Sequence, residues 1–133
     1  MPRVKFQEAA EEALIEHGAI RRRSYQRREM IGCIACRWAK SEAQGKSPRT
    51  YGFEIMRCTA MSAGNLYPLL RQLKEAGAVV AETDLGSSVG PAQRVYYSPA
   101  DSDVGKAFRA NLHIPDDCSL EEHKLEVQRT QGT

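Results

Sequence analysis

The chain has 133 residues, 41% hydrophobic and 27% charged, with a formal net charge of +2. That size and balance suit one modest globular core and exclude a disordered chain. It has no apolar run of the ~18 residues a membrane span needs, and its acid-interrupted start does not read as a signal peptide, so a cytoplasmic location with reduced thiols is expected.

In chain order, Val4–His17 reads as an amphipathic helix. Phe6, Ala10, Ala13, Leu14 and His17 lie on one side, Glu8, Glu11, Glu12 and Glu16 cover the rest, and Gly18 ends it. Tyr25–Ala43 repeats the pattern, with Met30, Ile31, Ile34 and Trp38 as its buried stripe. Between Arg21 and Thr50 there are nine basic residues and two acids, a local charge of +7. Such a run fits phosphate contact, or equally a solvated face whose bases pair with the acids of the first helix.

Ser41–Thr50 is polar, with Gly45 and Pro48, and reads as a loop. A short helix, Tyr51–Cys58, precedes a second one over Met61–Gly77. In the latter, Ser62 is placed to cap the first turn, and Leu66, Leu69, Leu70 and Leu73 recur at i, i+3, i+4 and i+7. Gly77 stands where a left-handed residue closes a helix. Pro68 removes a hydrogen bond and crowds the carbonyl of Gly64, so a bent first turn is expected. Two strands follow, Ala78–Thr83 and Arg94–Ser98, joined by a Gly/Ser/Pro-rich loop, and then a short helix over Asp101–Leu112 with Val104, Ala107 and Phe108 inward. The order helix, turn, helix, hairpin is that of a winged helix-turn-helix, whose second helix enters a DNA major groove.

The segments YGFEI, SAGNLYPLLRQLKEAGAV and GPAQRVYYSPAD, within residues 50–109, resemble the PadR-like family of bacterial winged-helix transcription regulators. The resemblance implies a homodimeric, DNA-binding repressor, bacterial or phage in origin and open to a small-molecule effector. It also implies a mainly α fold with a small two-stranded β-wing, here with an added N-terminal helix. The expected organisation is an amphipathic helix at 1–18, a DNA-binding domain at 19–112 and a polar tail, weakly helical or disordered, at 113–133.

The expected contacts follow from that frame. Ser62, Ala63, Gly64 and Asn65 are small residues that let the backbone approach DNA, and Asn65 can pair bidentately with an adenine edge. Asn65 can instead serve as a local cap. Tyr67, Pro68 and Arg71 face outward for base or phosphate contact, with Lys74 a turn further on. Arg49 and Tyr51 begin the preceding helix and are expected at phosphates, Tyr51 equally as core. The stretch Asp84–Gln93 contains no Lys or Arg, so Arg94 is the only base near the wing. Tyr96 and Tyr97 point to opposite faces, one packed and one free to reach DNA.

Cys33 and Cys36 form a C-x-x-C inside a helical pattern, and the ligands that could complete a metal site, His113, Cys118 and His123, lie in the tail. Free cysteines on helices are more often small hydrophobes, so neither a metal nor a cofactor is expected, with zinc binding and thiol sensing as minor readings. Trp38 reads as core, with ligand stacking as the alternative that the resemblance adds. No nucleophile–base constellation or Gly-rich phosphate loop appears, so no enzyme is expected. A winged-helix protein-interaction module with little DNA binding is the competing function.

Overall fold

A computed structural model describes residues 7–18, 20–84 and 94–114. The wing loop at 85–93 and the tail from 115 lie outside the described residues, so the expectations placed there have no structural counterpart. Among the described residues, five helices and three strands appear in chain order. They are α1 (Glu8–Glu16), α2 (Tyr25–Ala43), β1 (Thr50–Tyr51), α3 (Gly52–Thr59), α4 (Ala63–Glu75), β2 (Val79–Asp84), β3 (Arg94–Pro99) and α5 (Asp103–Ala110). The fold is mainly helical with a small antiparallel sheet.

That sheet has three strands in the order β1-β3-β2, not the two expected. β3 is central, with Thr50 opposite Tyr97 and Tyr51 opposite Tyr96 on one side, and Val80 opposite Ser98 on the other. The extra strand arises because Tyr51 is extended (φ −86°, ψ 151°) and caps α3 instead of opening it. Its backbone N–H donates to Glu54 Oε1 at 2.9 Å, and that satisfies an amide the helix leaves unpaired.

Local signals place the other helix ends. Ser24 accepts from Arg27 N at the start of α2, Ser62 from Asn65 N at the start of α4, and Ser102 from Gly105 N at the start of α5. After α4, Gly77 adopts φ +83°. Its N–H donates to the Lys74 carbonyl while Ala78 N–H donates to the Leu73 carbonyl, the doubly bonded left-handed close that glycine permits. Regular helix runs from Ala63 through Pro68, so the proline lies inside α4.

One core joins the five described helices. Leu14 of α1, Ile31, Ile34 and Trp38 of α2, Ile55 of α3, Leu66, Leu70 and Leu73 of α4, Val79, Tyr97 and Phe108 form a single buried cluster. Trp38 is core, with its ring edge-on to Phe108 at 6.2 Å and its Nε1–H donating to the Tyr97 carbonyl at 3.1 Å. The apolar stripes of α1 and α2 are buried in this core.

α1 differs from its expected face in two residues. His17 is exposed at the helix end, whereas Glu11, expected in solvent, is 1% exposed. Its two oxygens accept from Arg27 Nη1 and Arg28 Nη1, each at 3.1 Å, and from the Ser24 backbone N–H at 3.0 Å. Arg27 continues the link, donating from Nε and Nη2 to Gln72 Oε1 on α4 at 3.2 and 2.9 Å. A second tie runs from buried Gln7, whose amide bonds both the carbonyl and the N–H of His113. Residues 7–18 are thus built into the body of the fold.

Candidate nucleic-acid interface

α3 and α4 are joined by a turn in which Ala60 takes a left-handed conformation, φ 61°. Thr59 supports it by donating to the Ile55 carbonyl at 2.7 Å and accepting from Met61 N–H at 3.3 Å. The turn aims the first residues of α4 away from the core. Ser62, Ala63, Gly64, Asn65, Tyr67, Pro68, Arg71 and Lys74 are all exposed, while Leu66, Leu70 and Leu73 close the opposite side. All eight of these positions singled out in the sequence are therefore open to solvent. The small side chains at its start leave the backbone approachable, and a Cβ at Gly64 would meet only the Ser62 hydroxyl, at 4.0 Å.

Tyr67 connects this face to a second group. Its hydroxyl lies over Gly52, so close that a Cβ there would sit 2.7 Å away. Beside Gly52, Tyr51 stacks on Phe53 at 5.8 Å between ring centroids and meets Tyr96 edge-on at 6.1 Å. Arg49 lies over the Tyr96 ring at 5.1 Å, within cation–π range, and Tyr96 donates its hydroxyl to Glu82 Oε2 at 2.8 Å. Arg49, Tyr51 and Tyr96 were named separately in the sequence, and the sheet brings them together. The side chain of Arg94 lies outside the described residues.

Around Arg49 and Tyr51 opens a cleft of about 220 Å³ that also includes Arg37, Lys40, Lys46 and Glu54. Arg37 pairs with Glu54 at 3.4 Å. The ring of Phe53, exposed here, was not among the contacts expected from the sequence. The +7 charge over residues 21–50 contained Arg37, Lys40 and Lys46 but could not say which bases face the same way. Two others are spent within the fold, because Arg27 and Arg28 pair with the buried Glu11, while Arg23 pairs with Glu12 at 2.8 Å on the surface. Pairing with the first helix, not a free basic surface, accounts for that part of the run.

Tyr97, on the other face of β3, is 7% exposed. Burial raises its phenol above the ordinary 10.0, and the nearby Tyr67 phenol adds to the effect. A larger cavity, about 440 Å³, lies between the end of α1 and the far end of α4, lined by His17, Ile20, Arg21, Arg27, Gln72 and Glu75 among others. None of the residues expected at DNA lines it.

The cysteines differ from expectation. Cys33 of α2 and Cys58 of α3 are joined in a disulfide, with Cα atoms 6.3 Å apart. No helix among the described residues is long and apolar enough to cross a membrane. Comparison of the chain with protein-family models, curated proteins and solved structures gave no match.

Proposed function

We propose that the protein is a sequence-specific, double-stranded-DNA-binding transcriptional regulator of winged helix-turn-helix type, acting as a homodimeric repressor. The observation that carries this reading is the exposed face of α4. It is an N-capped helix with small residues at its tip and Tyr67, Arg71 and Lys74 behind them, set by a tight turn from α3. A helix presented this way can place its first turn at base edges in a major groove. Arg49, Tyr51, Tyr96 and the bases of the adjoining cleft would then flank the duplex and bind phosphates, which position the protein without reading sequence.

The competing reading is a protein-interaction module. It draws on the rings of Phe53 and Tyr67, 39% and 40% exposed, and on the pairing of three bases with acids of α1.

Selection of genomic fragments by the purified protein, followed by titration of the winner at two salt concentrations, separates the readings. With about four phosphate contacts, affinity should fall on the order of a hundredfold for a fourfold rise in salt. Arg71→Ala should weaken binding by about 1–3 kcal/mol, and unevenly among sites if it reads a base. An enriched palindrome would support the dimer. No binding at low salt would move the assignment to the interaction module.

A further inference from the structure

We infer that Cys33 and Cys58 form a reversible, oxidant-driven cross-link that sets the rigidity of the α3–α4 unit. The two sulfurs come from different helices, 25 residues apart in sequence, and their bond ties α3 to the central helix α2. Cys33 is 1% exposed and Cys36 fully buried, whereas Cys58 is only partly covered. Cys58 is therefore the sulfur that a reagent from solvent reaches first.

The position of the bond decides its consequence. Cys58 stands in the last turn of α3, two residues before the left-handed Ala60 that turns the chain into α4. α3 has eight residues, too few for a helix to persist without packing. Its start is held by the Tyr51–Glu54 bond and its middle by Ile55, so Cys58 fastens the end that leads into α4. Reduction frees that end while leaving the core intact.

The chemistry needs an oxidant of the hydroperoxide class. The Cys58 thiolate attacks the peroxide oxygen, the O–O bond breaks, and an alcohol leaves with the second oxygen after taking up a proton. The Cys33 thiolate then attacks the sulfenic sulfur of Cys58, the S–S bond forms, and water departs. Two thiols are oxidised by two electrons and one hydroperoxide is reduced to alcohol and water. A dithiol reverses the step by thiol–disulfide exchange, leaving through its own intramolecular disulfide.

The test does not depend on DNA binding. The full chain is equilibrated with dithiothreitol and then with hydrogen peroxide, quenched in acid, unfolded and alkylated, and mapped by peptide mass. Expected is a reversible change at Cys33 and Cys58, with a melting temperature about 10 °C higher in the oxidised form, as closing a loop of this length implies. Amide exchange over residues 52–66 should slow in the oxidised form. Cys58→Ser should abolish both differences, and the wild-type measurements decide the matter even if that variant fails to fold. A bond that resists dithiothreitol in the native protein, thiols that hold stoichiometric zinc instead of oxidising, or exchange unaffected by redox state would each overturn the inference.

Discussion

Removing the Glu11 carboxylate tests whether the fold depends on a charge buried between its first helix and its central one. Glu11 is 1% exposed and serves three donors, the Arg27 and Arg28 guanidinium groups and the Ser24 amide. In Glu11→Ala, Arg27, itself only 8% exposed, loses its counter-charge while remaining buried. Breaking such a pair from one side costs about 3–5 kcal/mol, because the orphaned ion keeps its desolvation penalty. Arg27 retains Gln72 and the Arg22 carbonyl, and Arg28 is 18% exposed and can rehydrate, so the lower end applies. A loss of about 3 kcal/mol, with a urea slope near 1.5 kcal/mol per molar, lowers the unfolding midpoint by about 2 M. Replacing both partners, Glu11→Ala with Arg27→Met, should cost less than the two single losses added, since no charge is then stranded. A midpoint shift in Glu11→Ala below about 0.3 M would show that the cluster is hydrated in solution and refute the argument.

Tyr97 carries a pH prediction. Its folded pKa is raised above the unfolded 10.0 by burial first and by Tyr67 second, so the neutral phenol stabilises the fold. That contribution is complete below pH 10.0 and is lost as pH rises through the raised value. Urea midpoints at about pH 9 and pH 11 should fall more steeply in wild type than in Tyr97→Phe, and equal slopes would remove Tyr97 as the cause. Gly105→Ala should destabilise by about 2 kcal/mol or more, because a Cβ there would overlap the Ala100 carbonyl, a backbone group that cannot step aside. Thermal melting checks it, and an unchanged melting temperature would mean that α5 shifts freely on β3. Ala60→Gly should raise stability by roughly 0.5 kcal/mol, since glycine takes the left-handed turn without the strain of a Cβ but orders at a larger entropy cost. A clear loss in chemical denaturation would show that the methyl group is needed.

Features whose causes lie within a turn or two of chain were legible in the residues alone. The leucine stripe of α4, its Ser62 cap and its Gly77 close were all readable, and so was the split of Tyr96 and Tyr97 between two faces of one strand. Each depends on residues no more than a few positions apart, where 3.6-fold and twofold periodicity act directly. Only the tertiary structure decided which distant residues meet. Glu11 looked like a solvent residue because its neighbours are acids, and its burial requires Arg27 and Arg28 to arrive sixteen and seventeen positions later. Tyr51 became a strand residue because Tyr96, far along the chain, offered it a partner. The same closure gathered Arg49, Tyr51 and Tyr96 into one patch, paired three bases of the charged run with acids of α1, and brought Cys58 of α3 to Cys33 of α2. Such pairings follow from how the whole chain fills one core, and no local pattern carries that information.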